Sequence, residues 1–258
     1  MTLIDNRAHI DPKAQLADDV EVGPWSLIGP DVVIESGTKV HSHVVIKGPT
    51  HIGRNNRIFQ FSSVGEDCQD KKYAGELTRL VIGDNNVIRE GCTVHRGTIQ
   101  DQSVTTIGND NLLMAYVHVA HDCVLGDNIV LANSVALAGH VKVGDYAILG
   151  GSTAVHQFCR VGAHVMCGGG TILLQDIPAY IMANGNAAKP YGINSEGLRR
   201  RGFTPEAIRI IKQAYKVIYR QGLKLDKALP KLQQLALQCP EVQLLIDDLQ
   251  ASSRGIIR

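Results

Sequence analysis

A chain of 258 residues that is 44% hydrophobic has enough apolar material for a sizeable core, as one large domain or a large one with a small companion. Lys and Arg number 26 against 25 Asp and Glu, a net charge of +1, so there is no global electrostatic pull toward nucleic acid or an anionic membrane. Aromatic residues at 5% exclude a core built around Phe and Trp, and 26 glycines point to many repeated tight turns.

The start, Met1-Thr2-Leu3-Ile4-Asp5-Asn6, carries no basic segment followed by an apolar run. No stretch of about 18 uninterrupted apolar residues occurs anywhere, so the expectation is a cytoplasmic protein without a membrane span.

From Ile4 an aliphatic residue recurs at every sixth position: Ile10, Leu16, Val22, Ile28, Ile34, Val40, Ile46, Ile52, Ile58 and Val64. The beat resumes at Ile82, Ile88 and Val94, then runs from Ile107 to Leu173, where only Cys167 departs from Ile, Leu or Val. A beat of six fits neither the helical period of ~3.6 nor a lone strand, and it predicts a parallel β-helix in which each short strand ends at a corner. Three hexads make one coil, so residues 18 apart should stack. Gly often follows the aliphatic residue, as at Gly23, Gly29, Gly53, Gly144 and Gly162, where a corner would favour unusual backbone angles. Two residues before the aliphatic position the side chain is small or β-branched (Ser26, Val32, Thr38, Val44, Thr50, Ser62, Thr153, Thr171), which defines a second inward column. Cys92, Cys123 and Cys159 fall in this column and Cys167 in the aliphatic one, so they read as small buried hydrophobes rather than metal or redox groups.

The beat fails twice, and such failures map to excursions on a solenoid's surface. Val64 to Ile82 is a whole coil's interval filled by the polar run Glu66 to Glu76, which reads as a loop. Val94 to Ile107 is 13 residues where 12 would keep phase, with Gln100-Asp101-Gln102-Ser103 marking a smaller excursion. The two lie near 66–80 and 99–106 of a coil spanning 1–190. The remainder, 191–258, changes period. Thr204-Pro205-Glu206 starts a helix with Thr as N-cap and Pro in the first turn, Gly222 stops it, and two more helical segments fall at about Leu225 to Gln238 and Pro240 to Ser252.

Histidines outside the inward columns must point outward. His118, His121 and His140 are so placed, His140 lying 19 residues after His121 and therefore near it in space, and His95 and His156 follow aliphatic positions by one. Four readings of this band remain open on spacing alone: solvated surface, a zinc site shared between subunits, acid or base work by one histidine oriented by Asp122, or a subunit interface without chemistry. Arg199-Arg200-Arg201 suits an anion or a solvated helix end. Lys212, Lys216 and Arg220 extend the basic character along one helix face, as an acidic protein partner would require.

The local wording is narrower than the repeat. Ile58 to Glu66, Gln69-Asp70 with Lys72 to Glu76, His95-Arg96-Gly97-Thr98, Ala120-His121-Asp122-Cys123, Leu137-Ala138-Gly139-His140, Val155-His156-Gln157-Phe158-Cys159 and Glu196 to Phe203 resemble, end to end, the hexapeptide-repeat acyltransferases. Within them the likeness is to the UDP-N-acetylglucosamine O-acyltransferases. The resemblance implies a left-handed parallel β-helix of hexapeptide repeats with a C-terminal α-helical subdomain, and a homotrimer with active sites between subunits. It implies transfer of an (R)-3-hydroxyacyl chain from acyl carrier protein to the 3-hydroxyl of UDP-N-acetylglucosamine, the first step of lipid A biosynthesis in Gram-negative bacteria, with no metal and no cofactor. It further implies that His121 is the general base, that Asp122 orients it and that the Gly139 N–H stabilises the oxyanion. Asp70 and Lys72 correspond to sugar-nucleotide contacts. His95, His118, His140, His156 and Gln157 belong to the substrate cleft, and Asn194, Glu196, Arg200 and Arg201 to the uridine and diphosphate or the carrier arm. Gly169 corresponds to the acyl-length ruler, where a glycine leaves room for a longer chain, while Ala187 departs from a histidine of some relatives.

Three other activities are weighed against this one. N-acylation of an acylated UDP-glucosamine belongs to a relative with a domain ahead of its repeats, whereas here the beat starts at Ile4. A γ-type carbonic anhydrase would need zinc ligands, and a non-enzymatic trimeric scaffold would leave His121-Asp122 and Arg200-Arg201 incidental.

Overall fold

The computed structural model describes residues 4–258, so the reading of Met1 to Leu3 above lies outside the described residues. Two- to five-residue strands wind into a three-sided prism whose faces are parallel sheets. Among the described residues, face 1 has nine strands, from His9–Ile10 to Ile172–Leu173, and face 2 has eight, from Gln15–Leu16 to Arg160–Val161. Face 3 has ten, from Glu21–Val22 through Met166–Cys167, and is finished by Ile181–Asn184 and the antiparallel Lys189–Ile193. The chain visits faces 1, 2 and 3 in turn, which is what a three-hexad coil requires.

Stacking follows the predicted interval: Val119 pairs with Leu137 and Leu137 with Val155, each 18 residues on. The aliphatic column is sealed, with Ile28, Ile58, Val94, Leu113, Val119 and Leu137 all at 0% exposure. Each such side chain contributes roughly 1.5–3 kcal/mol of burial. The second column is buried as expected, including Ser26, Thr38, Cys92, Cys123 and Cys159. All six cysteines are free and buried. Asn56, Asn86 and Asn111 enter this column as a ladder: the Asn56 carboxamide oxygen accepts from Asn86 N at 2.9 Å and that of Asn86 from Asn111 N at 3.0 Å.

Two readings need correction. Gly23, Gly29, Gly53, Gly144 and Gly162 do not have positive φ; that conformation belongs to the residue two further along, which is rarely glycine, as at His43, Asp122, His140 and Phe158 (φ 57 to 65). The glycines are there because the next coil is too close: a methyl group on Gly23 would lie 2.7 Å from Ser42 N, and one on Gly144 2.6 Å from Ala163 N. The second excursion is also longer than its phase implied. Val94 is on face 1 and Ile107 on face 2, so 13 residues span an edge that six normally cross. The first excursion spans the same edge, between Ser63–Glu66 on face 1 and Arg79–Ile82 on face 2. Both loops therefore leave from one edge of the prism in consecutive coils.

Four helices follow: α1 (Ser195–Arg200), α2 (Pro205–Tyr219), α3 (Leu225–Ala236) and α4 (Val242–Ala251). Thr204 caps α2 as its sequence predicts, its side chain accepting from Ala207 N at 3.1 Å, and Asn194 caps α1. The carboxyl end returns to the last coils. The Asp248 carboxylate accepts from Ala179 N, and the residue 255–257 segment pairs with Asp176, which brings Ala251 and Ser253 to the edge between faces 1 and 2. No helix among the described residues is long and apolar enough to cross a membrane.

Candidate functional site

On the edge between faces 1 and 2 the beat builds two short stacks. His121, Gly139 and Gln157 each follow an aliphatic residue by two, and Asp122, His140 and Phe158 by three. Gly139 lies so close under His121 that a Cβ there would fall 2.6 Å from Nε2. The His140 ring stacks on Phe158 at 4.3 Å and meets His121 edge-on at 4.9 Å.

His121 Nδ1 is 2.9 Å from Asp122 Oδ2. Asp122 is sealed, and the rest of its carboxylate accepts from Thr98 N at 2.9 and 3.1 Å and from Thr98 Oγ1 at 2.6 Å. Burial alone would raise the Asp122 carboxyl, but the bonds from His121 and Thr98, with His140 nearby, hold it below the ordinary carboxylate range. An ionised, fully bonded carboxylate at Nδ1 places the imidazole proton there and leaves the lone pair on Nε2, facing the cleft. His140 Nδ1 pairs with Asp101 at 2.8 Å. These three groups offer ligand atoms within 4.8 Å of one another, as a metal site would need, but Asp122 spends its oxygens on His121 and Thr98 and both Nδ1 atoms face carboxylates.

The cleft beside them has a volume of about 610 Å3, and Asp70, Lys72, His121, His140, Gln157 and Phe158 line it with Ala251 and Ser253. Asp70 and Lys72 arrive on the first excursion, Gln100 and Asp101 on the second. Arg96 ties the first loop down by donating to Gly65 O at 2.5 Å, to Tyr73 Oη at 3.1 Å and to the Asp67 carboxylate.

The remaining predicted residues divide. His118 is half-buried on face 1, bonded to Thr93 Oγ1 at 2.7 Å, and burial together with the charges of His95 and His121 pushes its pKa down. His95 is buried, because the first loop folds over it and Asp67 O accepts from its Nδ1 at 2.6 Å. The expectation that these histidines point outward is corrected for His95: it lies outside the core columns, but the first excursion covers it. His156 stays exposed, its Nδ1 3.1 Å from Gln157 O. Gly169 sits on the edge between faces 3 and 1, exposed. Asn194 and Arg201 dock on the edge between faces 2 and 3, Asn194 donating to His164 O at 3.1 Å and Arg201 to Tyr146 O at 3.0 Å. Glu196 holds Arg199 and Arg200 at 2.7 and 2.9 Å. One chain thus gathers Asp70, Lys72, His121, His140 and Gln157, and leaves Gly169 and the α1 group on its other edges. Sequence reasoning missed Thr98, Asp101, Arg96 and Phe158 as site residues, although Thr98, Arg96 and Phe158 stand in quoted motifs and Asp101 in the run that marks the second excursion.

Residues 105–139 match the family model described as "Bacterial transferase hexapeptide (six repeats)", and residues 176–257 the one described as "Udp N-acetylglucosamine O-acyltransferase; Domain 2". The acyl-[acyl-carrier-protein]–UDP-N-acetylglucosamine O-acyltransferase of Stutzerimonas stutzeri is 60% identical over 258 residues, covering 100% of both chains. The solved UDP-N-acetylglucosamine O-acyltransferase of Moraxella catarrhalis superposes with a TM-score of 0.99 at 49% identity over 100% of each chain. That of Francisella novicida gives 0.97 at 45% identity, over 99% of this chain and 94% of its own. The prism is accordingly a left-handed parallel β-helix of hexapeptide repeats with C-terminal helices. Similarity of this extent along the whole chain, in sequence and in backbone, means that the chain belongs to the UDP-N-acetylglucosamine O-acyltransferase family.

Proposed function

We propose that the protein transfers an (R)-3-hydroxyacyl chain from acyl carrier protein to the 3-hydroxyl of UDP-N-acetylglucosamine, the first step of lipid A biosynthesis, as a cytoplasmic enzyme. The observation that carries the reading is the His121–Asp122–Thr98 chain of hydrogen bonds at the wall of the cleft that Asp70 and Lys72 enter. His121 Nε2 takes the proton from the sugar hydroxyl as that oxygen attacks the thioester carbon. The carbonyl oxygen becomes an oxyanion, for which the Gly139 N–H is the donor; it makes no other hydrogen bond among the described residues. Collapse breaks the carbon–sulfur bond, and the proton on Nε2 goes to the departing thiolate, leaving the ester and the carrier's free thiol. His118, His140, His156 and Gln157 line the substrate path, with His95 supporting it beneath the first loop.

A homotrimer is part of the same proposal. Outward positions on face 3 form an apolar column of Val87, Leu112, Val130, Ile148, Met166 and Met182, the last two 37% and 38% exposed. An apolar strip of this kind calls for a partner surface. Packing prisms about a three-fold axis would carry the Asn194, Glu196, Arg200 and Arg201 group of one chain, and Gly169 on its own edge, toward the cleft of the next. The division into a coil of 1–190 that presents the cleft and a helical subdomain of 191–258 is supported by the closure of face 3 at Lys189–Ile193 just ahead of α1. Exposed Lys212 and Lys216 on α2, with Arg220 at its C-cap, offer an acidic carrier protein its counter-charge.

The test is incubation with UDP-N-acetylglucosamine and a panel of 3-hydroxyacyl carrier proteins, scored by product mass. The expected product is an O-ester, with turnover falling at least about a hundredfold in His121→Ala while the trimer persists. Retention of most activity by His121→Ala, or acylation only of an amino-sugar nitrogen, would overturn the reading.

A further inference from the structure

Lys142 and Arg160 stand one above the other on face 2, paired in register in successive coils. Both reach the wall of the cleft that holds His121 and His140, and both also border a second cleft of about 350 Å3 that continues along face 2 to Leu244 and Asp248 of α4. Two stacked cations ordinarily acquire a carboxylate, since like charges a strand apart repel. Neither makes an ion pair among the described residues, and Arg160 Nε is buried without a hydrogen-bond partner. The carboxylates around them are committed elsewhere: Asp101 to His140, Asp176 to Arg160 N and Ser252 Oγ, Asp248 to Ala179 N, and Asp145 to Asp127 N.

From these observations we infer that Lys142 and Arg160 form a phosphate-binding pair on the face 2 side of the cleft, holding a phosphoryl group of a substrate whose reacting atom lies at His121. The inference rests on the acyl-transfer reading above. A planar guanidinium with an unspent Nε–H beside a mobile ammonium is a donor set suited to phosphate oxygens, the guanidinium fixing orientation and the ammonium adding charge. Both substrates of the proposed reaction carry such a group. The nucleotide sugar has a diphosphate attached to the ring that presents its hydroxyl to His121, and the carrier arm has a phosphodiester beyond the thioester. In a strand two residues span roughly 6–7 Å, so Lys142 is rooted a short step from His140, which favours the diphosphate because it is the nearer to its own reacting atom.

The experiment measures binding of three ligands to the intact protein and to Lys142→Met, Arg160→Met and the double variant. The ligands are UDP-N-acetylglucosamine, a 3-hydroxyacyl thioester of phosphopantetheine, and the same thioester of pantetheine without its phosphate. The double variant should bind one phosphate-bearing ligand roughly tenfold or more weakly, with unchanged affinity for dephosphorylated thioester, and with a flattened salt dependence. Weakening confined to the nucleotide sugar assigns the pair to the diphosphate, and weakening confined to phosphopantetheine assigns it to the carrier arm. Lys142→Arg should retain affinity, which separates charge recognition from a packing defect. Equal binding of all three ligands by wild type and double variant would overturn the inference while leaving the acyl-transfer reading standing, as would equal weakening of the dephosphorylated thioester. Failure of wild type to bind any of them would instead overturn the functional reading, and this inference with it.

Discussion

The Cα of Gly139 packs against the ring of His121 so closely that one added methyl group would lie 2.5 Å from Cε1 and 2.6 Å from Nε2. No side chain other than hydrogen fits there while the ring keeps its bond to Asp122. Gly139→Ala should therefore swing the imidazole off Asp122 and lower kcat by roughly a hundredfold, the scale expected for misplacing a catalytic group by about an ångström. Steady-state kinetics alongside a thermal melt checks this. Full activity in the variant would show that His121 tolerates displacement and is not the base.

Arg96 acts on the site through the first loop. Replacing it with Met removes its bonds to Gly65 O, Tyr73 Oη and the Asp67 carboxylate, and should release the segment that carries Asp70 and Lys72. The expected result is a KM for the nucleotide sugar raised about tenfold, the cost of ordering a freed loop on binding, and faster tryptic cleavage at Lys71 and Lys72. Unchanged cleavage would mean the loop is held by its other contacts.

Gly169 offers a cleaner substitution than most glycines of the coil. A Cβ there meets nothing nearer than Gly151 O at 3.4 Å, so Gly169→Met should fold normally. If a neighbouring chain's acyl channel ends at this edge, the variant should prefer shorter acyl donors, by about tenfold for the few methylenes displaced. An unchanged donor profile would refute the ruler role.

Protonation links stability to pH through His164. Burial, with Arg201 adding a like charge, pushes its pKa from 6.5 down to about 4, and its ring is stacked against Tyr146 and Tyr180. The unfolded chain takes up this proton near 6.5 while the folded one does so only near 4, so the stability present above pH 6.5 is lost as pH falls toward 4 and is level below it. The loss is on the order of 3 kcal/mol. His164→Phe removes the titration, and the left-handed backbone there (φ 59) is one that Phe158 adopts at an equivalent corner (φ 65). Urea midpoints measured between pH 4 and 7 should be flatter in the variant; identical profiles would place the titration on another group.

The coil was legible because its cause is local: every sixth side chain must fill the same interior, so Ile107 to Leu173 announces its fold in a few dozen residues. The helix start at Thr204-Pro205 was legible for the same reason. Causes acting between coils were not. Gly23 and Gly144 look like turn residues in sequence, yet they answer to backbone one coil away. His95 reads as an outward histidine because nothing in its neighbourhood reveals that Asp67 will lie over it. Thr98 gives no sign of its role until Asp122, 24 residues later, is folded beside it. Of the residues named by resemblance, one chain brings Asp70, Lys72, His121, His140 and Gln157 to a single cleft, and leaves the α1 group and Gly169 on other edges, where the proposed trimer would have to unite them with it.

Apart from a one-residue shift at Gly65, the two long crossings leave the pairing on either side in register: Val64 still pairs with Val94, and Leu80 with both Thr50 and Thr105. Chain length at that edge is therefore a free variable. A lineage could lengthen, shorten or exchange these crossings, and so alter which acceptor is admitted, without a compensating change in the aliphatic column, while His121 and Asp122 keep their address in the coil beneath.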